Sequence, residues 1–111
     1  MTIRSLIRDI QVEIRDTDLQ PDRGADLLAK LTALYGNVLD EVRVAEQDYN
    51  MVLLGYLSGE EAANRARIRA QVTPEHARFR EAKDTEKLAL ELIRSLKHFL
   101  RSKAEEMGLS R

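Results

Sequence analysis

Between Pro21 and Tyr56 the apolar residues fall on a single seven-residue rhythm. Leu28, Leu31, Tyr35, Val38, Val42, Ala45, Tyr49, Val52 and Tyr56 follow one another in alternating steps of three and four. That alternation marks a long helix packing one seam against other helices. Leu27, Leu34, Leu39, Leu53 and Leu54 lie beside the seam, widening the face beyond what a two-stranded coiled coil needs and suiting the spine of a bundle. At about 1.5 Å per residue the helix is roughly 50 Å long, more than one compact chain of this size covers fully. The expectation is an all-α, elongated bundle of three or four helices, with this spine central, completed by self-association. Leu28, Leu31, Tyr35, Val38, Val42, Tyr49, Val52 and Tyr56 are the expected oligomer interface.

The flanking segments read as shorter amphipathic helices. Ile3, Leu6, Ile7, Ile10 and Ile14 form one stripe in a first helix over about 2–16, with Thr2 as its cap. Thr17 to Gly24 is the clearest break, and Pro21 suits the first turn of the next helix, over about 21–57. Gly36 and Gly55 lie inside that helix, at a cost of about 1 kcal/mol each relative to alanine. Ser58-Gly59-Glu60-Glu61 reads as a capping box opening a short helix over about 60–72. Thr73-Pro74-Glu75 opens a last helix over about 74–107, stopped by Gly108. Its stripe is Leu88, Ala89, Leu92, Ile93, Leu96, Phe99, Leu100 and Met107. Whether the last two helices are continuous is left open. No strand-like alternation or repeat appears, and 111 residues argue for a single helical domain, 1–111.

Composition narrows the chemistry. There is no cysteine and no tryptophan, so disulfides and thiolate metal sites are excluded and the core must be aliphatic. No apolar run reaches the length of a membrane span, and Met-Thr-Ile-Arg-Ser has no signal-peptide core; a cytoplasmic protein without a membrane partner is expected. The net charge of −1 conceals an asymmetry. Residues 1–57 carry six Lys/Arg against ten Asp/Glu, and residues 58–111 carry twelve against nine. Such halves can pair with one another or offer the basic part to an anionic partner.

Catalytic patterns are thin. His76 and His98 complete neither the Glu-x-x-His spacing of di-iron bundles nor a paired-histidine zinc motif. Glu13-x-x-Asp16 and Glu81-x-x-Asp84 have a spacing that aims two carboxylates at one magnesium ion, as in helical nucleotide hydrolases. Pairs of that kind are also ordinary on charged helix flanks. No glycine-rich phosphate loop or serine elbow is present, so neither enzyme activity, metal nor cofactor is expected.

The last helix offers more. On a helical wheel His76, Arg80, Lys83, Lys87, Arg94, Lys97, His98 and Arg101 lie broadly together, opposite Leu92, Leu96 and Phe99. Phe79 falls near them, where an exposed ring can stack on a base while its neighbours neutralise phosphates. The expected nucleic-acid-binding residues are therefore Arg80, Lys83, Lys87, Arg94, Lys97, Arg101 and Phe79. Leu90 and Glu91 interrupt this face, and charged outer faces are also routine on soluble helices.

A short first helix (Ile3 to Ile14), a polar break, a long helix ending in Tyr56-Leu57-Ser58-Gly59 and a C-terminal helix together resemble the UvsY recombination mediators of T-even bacteriophages. The resemblance implies a phage-encoded, all-α homo-oligomeric ring that binds single-stranded DNA and loads a recombinase. One departure is local. That family places lysine and arginine just before the turn, whereas Asp48 to Gly55 here holds no basic residue. DNA contact would then fall to Arg65–Arg69 or to the last helix. Two functional readings stand: a non-enzymatic single-stranded nucleic-acid accessory protein, or a helical protein–protein interaction module acting as scaffold, adaptor or inhibitor.

Overall fold

Thr2 starts the first helix. Its hydroxyl accepts from the Ser5 backbone N–H at 3.0 Å, and the Ser5 hydroxyl receives the Thr2 N–H at 3.1 Å. This reciprocal pair satisfies two donors that a helix leaves open at its start. The structure, a computed structural model, describes residues 1–108. Among them it is an all-α bundle without strands, with helices α1 (Ile3–Asp16), α2 (Pro21–Leu57), α3 (Ala63–Ala70) and α4 (Pro74–Glu106). Residues 109–111, counted in the expected single domain, lie outside the described residues.

Local chemistry explains the other ends. Pro21 lacks the N–H that the first turn leaves unpaired, and its fixed φ already suits a helix. The Thr73 hydroxyl accepts from the His76 N–H at 3.3 Å at the head of α4, with Pro74 in the first helical position. At the far end, Gly108 adopts φ +75°, a left-handed conformation that glycine takes without penalty. The expected Ser58–Glu61 box does not form. The Ser58 hydroxyl instead donates to the Leu54 carbonyl at 2.7 Å, and Glu61 pairs with Arg69 at 2.9 Å. Helix α3 therefore opens at Ala63, with no side-chain cap on Ala62.

The helices form two compact units. One joins Met1–Asn37 to the chain from Lys87 onward, and the other is Val38–Glu86. In the first unit Ile7, Ile10, Leu27, Leu31, Ala89, Leu92, Ile93 and Leu96 are buried. Gly24 is buried too; a β-carbon there would sit 3.0 Å from the Phe99 ring and 3.3 Å from Leu100. Here missing side-chain bulk brings α2 close against α4. In the second unit Val38, Ala66, Ala70, Ala82 and Thr85 are buried. Thr85 satisfies its hydroxyl on the Glu81 carbonyl at 2.9 Å.

The inner seam of α2 differs from the expected one in place and in use. Leu27 is fully buried while Leu28 is only half-buried, so the tightest line near the start of the helix runs Gly24, Leu27, Leu31. Leu31 and Val38, expected at an oligomer interface, are wholly enclosed by their own chain. Tyr35, Val42, Tyr49, Val52 and Tyr56 are half-buried in the same way. Leu31 and Val38 are thereby closed to a partner, while the half-buried seam residues keep part of their surface open. Met107, placed in the α4 stripe by its spacing, is exposed because α4 ends at Glu106.

Candidate nucleic-acid interface

In the first unit α4 buries Ala89, Leu92, Ile93 and Leu96. A helix of 3.6 residues per turn then turns residues seven apart to the same outer side. Lys87, Arg94 and Arg101 hold that register, with Lys97 and His98 between them, and all five are exposed. At about 1.5 Å per residue, Lys87 and Arg101 stand roughly 21 Å apart along the axis. None of Lys87, Arg94, Lys97 or Arg101 has an ion-pair partner among the described residues. Exposed Glu91 and half-buried Leu90 lie among them and interrupt the run of charge. Four free cations along about four turns give a local field that the chain's net charge of −1 does not reveal.

The remaining expected residues lie in the second unit. Arg80 is exposed. Lys83 is engaged, its ammonium 3.0 Å from Glu86. Phe79 is not the exposed ring that its wheel position suggested. It is half-buried and stacked on Tyr49, with ring centroids 5.8 Å apart and planes at 21°. His76 lies 4.9 Å from the same tyrosine. The face of α4 buried here is made of small residues, Ala82 and Thr85, so a ring at its border reaches across to α2. Phe79 is a packing residue, and Tyr49 takes the place of the base.

The arginines of α3 divide similarly. Arg69 pairs with Glu61 at 2.9 Å, while Arg65 and Arg67 are exposed and have no ion-pair partner among the described residues. They flank an exposed Ile68.

The first carboxylate pair, Glu13 and Asp16, serves local structure. Arg23 donates from two nitrogens to Glu13, one contact at 2.8 Å, tying the start of α2 to α1. This hydrogen bond from the guanidinium holds the Glu13 pKa below its ordinary value and raises that of Arg23. Asp16 is likewise lowered by its neighbour Arg15, at 2.8 Å. Among the described residues no three His, Asp or Glu side chains come together in a way that could hold a metal ion. Beside the Glu13–Arg23 pair lies an open groove of about 490 Å³ between α1 and α2, floored by Leu6, Ile10, Leu27 and Leu34.

The outer side of the second unit departs from the expected face, in which Leu39 and Leu54 widen the seam. Leu39, Val44, Met51 and Leu54 on α2, and Ile68 and Val72 at α3, are exposed. Val44, Met51 and Leu54 lie at helical spacing opposite the dominant seam, with polar Asp40, Gln47 and Ser58 on the same side. No helix among the described residues is long and apolar enough to cross a membrane. No protein-family model, curated protein or solved structure matches this chain.

Proposed function

We propose that this protein is a non-enzymatic nucleic-acid accessory factor that binds single strands along the outer face of α4. The observation that carries the reading is the set of four exposed basic side chains, Lys87, Arg94, Lys97 and Arg101, lacking ion pairs among the described residues. A charged side chain already paired within its own chain gains little from a phosphate; an unpaired one neutralises it and releases a counterion. The two guanidiniums add a planar fork that matches phosphate oxygens. With Phe79 stacked on Tyr49, contact rests on the backbone of the strand, and His98 is an exposed ring beside the cations. Binding of this kind reads charge and spacing, not sequence. The order of helices that resembles the UvsY mediators supports the same class, with a recombinase or other protein as the partner to which the strand is delivered.

The alternative, a helical interaction module without nucleic acid, draws support from the exposed apolar residues of the second unit. Fluorescence polarisation of a labelled single-stranded oligonucleotide separates the two. Wild-type protein should bind at low salt, and Arg94→Glu/Arg101→Glu should not, with helix content and mass unchanged. Absence of wild-type binding at low salt overturns the nucleic-acid reading in favour of the module.

A further inference from the structure

The second unit exposes two apolar surfaces of opposite charge. Along the outer side of α2, Val44, Met51 and Leu54 are 48, 74 and 64% exposed. Glu41 and Asp48, seven residues apart and therefore on one side of the helix, border this stripe without an ion-pair partner among the described residues. Asp40 lies within the stripe and reaches only Arg43, at 3.6 Å. On α3 and the turn after it, Ile68 and Val72 are 63 and 80% exposed. Arg65 and Arg67 flank them, also unpaired. Large apolar side chains so exposed, each edged by free charge of one sign, are uncommon unless something covers them.

We infer that each surface is covered by the other surface of a second copy of this chain. The acidic stripe of α2 packs on the basic outer face of α3 from the partner, and the partner's α2 packs on α3 in return. Two-fold contacts have this reciprocity, since residue i meets j and j meets i. The charges choose the occupant. Glu41 and Asp48 repel another copy's α2 but attract Arg65 and Arg67, so like faces are disfavoured and unlike faces are favoured. Five exposed aliphatic side chains offer on the order of 500 Å² of apolar area per copy, with a charged rim to complete the roughly 800 Å² that each partner brings to a stable interface. Gly55 lies one turn beyond Met51, and a β-carbon there meets nothing of its own chain within 4 Å, leaving room for a neighbouring helix. This assembly uses the outer side of α2, not the inner seam that the chain itself encloses, and it stands apart from the nucleic-acid reading.

Sedimentation equilibrium of nuclease-treated protein tests the inference without any nucleic acid present. The wild type should sediment at twice the chain mass. Arg65→Glu/Arg67→Glu and Glu41→Arg/Asp48→Arg should each raise the dimer dissociation constant at least tenfold, with helix content unchanged. An equimolar mixture of the two variants should recover the dimer, because each then meets opposite charge at both contacts. Met51→Lys/Leu54→Lys should dissociate it as well. A monomer at every concentration overturns the inference and leaves these surfaces to a different protein. A dimer indifferent to all three variants, or two variants that fail to recover on mixing, overturns it equally.

Discussion

Leu31→Ala measures how completely the inner seam is enclosed by one chain. Leu31 is wholly buried. Truncation to alanine removes three carbons, worth about 0.8 kcal/mol each in lost burial, or roughly 2.4 kcal/mol. The unfilled space adds to this, and buried leucines in rigid surroundings lose about 3–5 kcal/mol in all. Against a total stability of order 5–15 kcal/mol, a loss near 3 kcal/mol should lower the melting temperature by more than about 10 °C. Leu54→Ala, at a position 64% exposed, should cost less than about 0.5 kcal/mol in the monomer. Urea unfolding followed by circular dichroism, at protein concentrations about tenfold apart, is the assay. The cost of Leu31→Ala should be the same at both concentrations, because the cavity opens within one chain. A loss below about 1 kcal/mol, or one that shrinks with dilution as mass action requires of an interface residue, would refute the reasoning.

Three further outcomes follow from local structure. Thr2→Ala removes the side-chain half of the box with Ser5 and should cost about 1 kcal/mol, seen as earlier thermal melting; no change would mean that the end of α1 is frayed in solution. Gly36→Ala should stabilise by up to about 1 kcal/mol, because a β-carbon there meets nothing within 4 Å; destabilisation in urea would show that something approaches this position. Glu13, held low in the folded state by Arg23, adds stability above its unfolded value and loses it as the pH falls through the lowered one. The advantage of wild type over Arg23→Gln should thus be full at neutral pH and shrink in acid. An advantage that grew toward acid pH in denaturation experiments would contradict the pairing.

Features decided by neighbours in the sequence were legible before the structure. Thr2, Pro21, the Thr73-Pro74 pair and Gly108 each act within a turn of their own position, so their residue types suffice to place helix ends. The Ser58–Glu61 box had the right spacing, yet the Ser58 hydroxyl lies within reach of the Leu54 carbonyl and takes that bond instead. A spacing names one available partner; the fold chooses among several. Phe79 and the inner seam show a deeper limit. A wheel gives the direction of a side chain but not what arrives there, and both Tyr49 against Phe79 and the chain's cover over Leu31 come from residues distant in sequence. The exposure of Lys87, Arg94, Lys97 and Arg101 was legible, because solvated charge needs no long-range partner to define it. What the sequence left open was which cations are taken: Lys83 by Glu86 and Arg69 by Glu61.

Binding through the free cations of α4 is tested most directly by its salt dependence. Four phosphate contacts from Lys87, Arg94, Lys97 and Arg101 should give a slope of about −2.8 in log Kobs against log salt for a single strand. Between about 50 and 200 mM salt, affinity for a labelled oligonucleotide should therefore fall about 50-fold. With Arg94→Glu/Arg101→Glu the binding and its salt dependence should both disappear. Affinity that stays level across that range, or a slope unchanged by the two reversals, would contradict the central claim.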